Sequence, residues 1–174
     1  MKKPAFTLIE VLMAVTVFTL FIGFAIGAYL NLHQALHKAE ERRHLLLESE
    51  VILHRLSAAI KVDSVDYNAY AEDMGALLGG PIEGSVLHLQ AGGTYSWDEL
   101  ESTLLWTDGT AEEILTKDPV KLILLKFRIF PGMNPYEASS SADYYQPTIQ
   151  INLQLSLNEE VLDFQTSTTS RIYR

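Results

Sequence analysis

A carboxylate stands at the entrance of an oily segment. Glu10 follows Phe6, Leu8 and Ile9 and precedes the uncharged, proline-free run VLMAVTVFTLFIGFAIGAYL over residues 11–30. A charged side chain at mid-bilayer costs about 2.5–3.5 kcal/mol even on lenient insertion scales, so a cationic partner is expected beside it. The plainer reading places Glu10 in the first turn of a helix. There the helix dipole favours negative charge, and the carboxylate lies level with the lipid headgroups.

Other residues capable of chemistry are scattered. His33 and His37 stand four apart, a spacing that puts both on one helical face, but no Glu lies between them in a zinc-peptidase arrangement. They are expected as solvated side chains, and His88 as a surface or half-buried strand histidine. Asp63, Asp66, Glu72 and Asp73 lack the regular ligand spacing of a calcium loop, so a solvated acidic surface is expected and calcium is kept as the alternative. No cysteine is present, which excludes disulfides, Cys-ligated zinc and thiol catalysis. No GxSxG, Walker A, HExxH or GxGxxG string occurs, and nothing assembles a nucleophile, a base and its orienter. No enzymatic activity and no resident cofactor are expected.

The elements that must carry these residues follow from patterning. Twenty apolar residues at 1.5 Å rise make a helix of about 30 Å, the hydrocarbon thickness of a bilayer. Lys2 and Lys3 ahead of it predict a cytoplasmic N-terminus and a body on the far side of the membrane. Between Ala28 and Met74 there is no Pro or Gly, and good helix formers dominate, so the helix is expected to continue to about Lys61. Ala39, Leu46, Leu53 and Ile60 recur every seven residues, which suggests an amphipathic half able to cover a sheet. Gly23 and Gly27 form a GxxxG, a candidate for close helix packing, although glycine is also common in membrane helices.

Residues 63–85 read as a connector ending at Gly79-Gly80-Pro81. Beyond it come short apolar runs divided by turn signals, the mark of an antiparallel sheet. Strands are expected over 86–90, 103–106, 111–115, 120–130, 148–157 and 161–172, with Asp108-Gly109 closing a hairpin. The 120–130 run is the most apolar and is expected inside the sheet. Over 148–157, Ile149, Ile151, Leu153, Leu155 and Leu157 alternate with polar residues, giving one buried face. Residues 131–147 read as a polar loop bearing Tyr136, Tyr144 and Tyr145. The fold class expected is α+β: a long N-terminal helix, its first half transmembrane, packed on a C-terminal antiparallel sheet.

The string KKPAFTLIEVL over residues 2–12 resembles the processing and methylation motif of type IV prepilins and type II secretion pseudopilins. That family joins a short basic leader, a small residue, Phe, a few apolar or Thr positions, Glu, and a transmembrane helix. The resemblance implies cleavage by a prepilin peptidase between Ala5 and Phe6, N-methylation of Phe6, and assembly through Glu10 meeting the free amine of a neighbouring subunit's Phe6. Ala5 stands where the family usually has Gly. The implied organisation is a leader over 1–5, a membrane and filament-core half over 6–30, an amphipathic half over 31–62, the connector over 63–85, and a sheet head over 86–174. Residues 114–122 (ILTKDPVKL) and 164–172 (FQTSTTSRI) resemble minor pilins and J-type pseudopilins, as does the lack of a helix-breaking Pro and of a Cys-closed loop. Partners implied are other pilin or pseudopilin subunits, prepilin peptidase, an inner-membrane assembly platform and membrane lipid. The location implied is the cytoplasmic membrane, crossed once with the C-terminus outside, and then the pilus or pseudopilus.

Two other readings share the N-terminus. One is an uncleaved bitopic protein with an extracytoplasmic binding head. The other is a secreted module released by signal peptidase near Ala25-Ile26-Gly27 or Ile26-Gly27-Ala28. Charge separates the two halves of the chain: residues 1–60 carry six basic and five acidic side chains, residues 61–174 seven and seventeen. An acidic body with net charge −9 overall argues against nucleic-acid binding.

Overall fold

A computed structural model of the chain describes residues 7–70, 80–132, 134–135 and 146–170. Helix α1 spans Leu8–Val62 without interruption. A short 3-10 turn, Tyr67–Tyr70, follows. The strands are β1 (Ile82–Gly84), β2 (Val86–His88), β3 (Thr94–Asp98), β4 (Thr103–Thr107), β5 (Glu112–Ile114), β6 (Lys121–Phe130), β7 (Thr148–Leu157) and β8 (Glu160–Thr169). The expected α+β class holds: one long N-terminal helix, with antiparallel strands after it. The chain divides into two compact units, Met1–Glu41 and Arg42–Arg174, and α1 contributes to both.

The strands form two sheets where one was expected. The larger has the order β1-β6-β7-β8, the smaller β2-β3-β4-β5, and every pairing is antiparallel. Tight turns build the smaller sheet. Asp108 organises the β4–β5 hairpin, its Oδ1 accepting from the Thr110 N–H (2.9 Å), the Thr110 hydroxyl (2.8 Å) and the Ala111 N–H (2.8 Å). Gly109 sits at φ 87°, where a side chain would be strained. The run over 94–98 was not expected as a strand. Its two aromatics, Tyr95 and Trp97, lie between polar residues and pair with Trp106 and Leu104 of β4.

The described part of the connector is also more structured than its composition suggests. Val65 forms an isolated bridge with Leu89, and β1 pairs with β6. Val65 and Tyr67 are buried, and the Tyr67 hydroxyl donates to the Pro131 carbonyl at 3.0 Å.

The larger sheet follows its binary pattern closely. Ile149, Ile151, Leu153, Leu155 and Leu157 of β7 are all buried, as the alternation requires. Strand β6 lies between β1 and β7, so the most apolar run is interior to its sheet. A register shift between Leu122 and Leu124 marks a bulge in β6. Within the second unit, Leu45, Ile52, Leu56 and Ile60 of α1 join Phe127, Leu153 and the small-sheet residues Leu87 and Leu104 in one hydrophobic cluster.

The buried stripe of α1 differs from the heptad ladder. Leu45 is 0% exposed while its neighbour Leu46 is 54% exposed, and Ala39 is exposed too. A straight α-helix turns 3.6 residues per turn, so a strict seven-residue ladder drifts about 20° per repeat. Spacings of seven and four, through Leu45, Ile52, Leu56 and Ile60, keep one face toward the sheet. Ser49 lies within this buried face, its hydroxyl donating to the Leu46 carbonyl at 2.8 Å.

Candidate functional site

The start of α1 is built by two residues. Thr7 occupies the cap position, and Glu10 the third helical one. The Thr7 N–H and hydroxyl both donate to Glu10 Oε2, at 2.9 and 3.0 Å. In return the Glu10 N–H donates to the Thr7 carbonyl at 3.1 Å and approaches its hydroxyl at 3.4 Å. This is a capping box, which satisfies otherwise orphaned N–H groups at a helix start. Both bonds go to one oxygen, and among the described residues Oε1 takes no partner. Thr7 had no role in the sequence reading, yet its signal is present: T-x-x-E immediately before an apolar run.

Behind the cap, α1 presents apolar side chains to every side. Leu8 is 87% exposed and Phe24 79%, and none of the most apolar 18-residue window is buried. The helix is long and apolar enough to cross a membrane. Its two threonines suit that medium, because Thr16 and Thr19 donate their hydroxyls to the Leu12 and Val15 carbonyls at 2.8 Å. Neither threonine hydroxyl is then left without an acceptor in hydrocarbon.

Gly23 and Gly27 lie on one side of this helix. A Cβ built on either would meet nothing within 4 Å, and with Thr19, Leu20, Phe24 and Asn31 they line a shallow groove. The glycines therefore answer no need of the helix itself.

Ala5 and Phe6, the expected cleavage and methylation positions, lie outside the described residues, as do Glu72, Asp73, Tyr136, Tyr144 and Tyr145. The remaining two acids of the candidate calcium cluster act on backbone. Asp63 accepts from the Ser64 and Ala91 N–H groups, both at 2.9 Å, and Asp66 from the Asn68 N–H at 3.0 Å. Among the described residues no group of three or more metal-ligating side chains gathers. His33 and His37 are exposed, and the His33 ring lies 6.3 Å from that of Tyr29. His88 is half-buried: its N–H donates to the Tyr70 hydroxyl at 2.8 Å, and its ring meets Tyr70 edge-on at 5.4 Å. It holds the Tyr70 turn against β2.

The arrangement thus concentrates its unusual chemistry at one place, a single carboxylate at the head of an exposed apolar helix. No protein-family model matches the chain, and no curated protein or solved structure matches it either.

Proposed function

We propose that the chain is a structural subunit of a type IV pilus or type II secretion pseudopilus, a minor pilin or J-type pseudopilin. In this reading a prepilin peptidase cuts after Ala5, Phe6 is N-methylated, and the inner-membrane assembly platform adds the subunit to its fellows from the cytoplasmic membrane. The reading is non-enzymatic. The observation that carries it is Glu10, ionisable and half-occupied, at the lip of twenty uncharged residues. Cleavage after Ala5 would create an ammonium group at Phe6, that of a neighbouring copy would meet Glu10, and a buried carboxylate is tolerated when such a cation meets it.

One observation favours a second reading, the uncleaved bitopic protein. The capping box already gives Glu10 a role within its own chain, so no partner is required to explain it. Mass spectrometry of the mature N-terminus in the native host separates the two. A methylated chain starting at Phe6 is the expected result. A chain starting at Met1 leaves a tethered receptor, and a start near Tyr29 marks a secreted module.

A further inference from the structure

Among the described residues the two sheets have four edges, and three of them are only three residues long: β1, β2 and β5. Short edges are one way a protein blunts the row of unpaired N–H and C=O groups that an outer strand presents. The fourth edge, β8, is ten residues long. Its sequence EVLDFQTSTT contains no Lys, no Pro and no Gly. Its pairing with β7 runs in unbroken register from Leu157↔Glu160 to Thr148↔Thr169, with no bulge to twist it away. Among the described residues neither a Lys, a Pro nor a bulge protects it, and its charges are two acids, Glu160 and Asp163.

Two grooves meet β8 at Phe164. On the helix side, a groove is lined by Leu46, Ser49, Leu53 and Phe164. On the outer face a second runs inward from β8 across β7 to β6, lined by Leu124, Gln154, Asp163 and Phe164, with the Gln154 amide donating to Asp163 at 2.7 Å. A strand laid along the free edge of β8 would place alternate side chains on the helix side, against Leu46 and Leu53, and the others on the outer face beside Asp163.

We infer that β8 is a docking edge for an extended segment of a different, basic protein, which adds a fifth strand to the larger sheet. Charge selects that occupant over a second copy. The helix-side groove carries Glu50 beside His54, the outer face of β8 carries Asp163, and Arg42, beside the start of the strand, is itself paired with Glu160 at 2.8 Å. Residues 61–174 carry seventeen acids against seven bases, so two such heads repel each other. Main-chain hydrogen bonds would supply affinity, and the alternation of apolar and basic side chains would supply selectivity. This inference does not rest on the filament reading.

The test uses the full chain in zwitterionic detergent and three ten-residue peptides: (Lys-Val)5, the same peptide N-methylated at alternate residues, and (Glu-Val)5. Amide hydrogen exchange over residues 161–169 is the readout. With (Lys-Val)5, alternate amides of β8 should slow at least tenfold, namely those not already bonded to β7. The methylated peptide and (Glu-Val)5 should leave them unchanged, and Asp163→Asn should weaken binding of (Lys-Val)5 by up to about fivefold. Equal binding of the methylated peptide would show charge attraction without strand addition and overturn the inference. So would protection confined to another part of the chain, or none. Sedimentation without peptide should show a monomer, and a dimer with β8 already protected would give the edge to a second copy.

Discussion

Glu10 does two jobs that a substitution can separate. Gln at the same position still closes a capping box with Thr7 but carries no charge. If the filament reading holds, Glu10→Gln abolishes assembly into filaments, measured in sheared surface fractions, while Thr7→Ala, which removes the cap and keeps the charge, retains it. Normal assembly of Glu10→Gln would leave the carboxylate with capping alone. A second carboxylate allows a cleaner physical measurement. Two N–H groups and a hydroxyl hold the Asp108 carboxyl below its ordinary value, since all three bond the charged form. A depressed folded value means the stabilisation is fully present above the unfolded value, about 3.9. It is lost as pH falls through the folded one. The Thr110 and Ala111 amide resonances should therefore titrate with a midpoint below that of an exposed Asp, and Asp108→Asn should flatten both curves.

At the scale of elements, α1 can be probed on two of its surfaces. Replacing Gly23 and Gly27 by Ala introduces no clash inside the chain and raises helix propensity by about 0.8–1 kcal/mol at each position. The double variant should keep or increase helicity by circular dichroism. Any loss of assembly in it then reports a contact made with another helix. On the covered surface, Leu56 is fully buried and Leu46 is half exposed. Leu56→Ala should cost about 2–5 kcal/mol in denaturant titrations, and Leu46→Ala about 0.5 kcal/mol or less. Equal costs would restore the heptad face as the packing face.

For the molecule as a whole, one cluster joins the helix, the larger sheet and the smaller one within residues 42–170. Such a shared core makes separate melting of the two sheets unfavourable. Leu104→Ala in β4 and Leu153→Ala in β7 should each lower a single transition. Fluorescence of Trp97 and Trp106, which sit in the smaller sheet, should coincide with the far-ultraviolet signal of the whole. Two separated transitions would show that the sheets are independent units.

Several features were set by the residues in order of occurrence, because they depend on local periodicity. The uninterrupted α1 follows from the lack of Pro and Gly over its polar half. The alternation of β7 and the Asp108-Gly109 hairpin follow from a two-residue period and from turn chemistry. The capping box was legible in Thr7 and Glu10, though its letters overlap with the processing motif and can serve both. What chain order could not supply is the partner of each strand. Residues 94–98 show two aromatics among polar neighbours, and only pairing with β4 turns them into a strand. The choice of Leu45 over Leu46 as the inward residue likewise waits on where the sheet lies, since both faces of that helix are rich in leucine. Long-range pairing also makes β8 an edge. Its ten residues would read the same in the middle of a sheet, and only the tertiary arrangement places them last in the strand order.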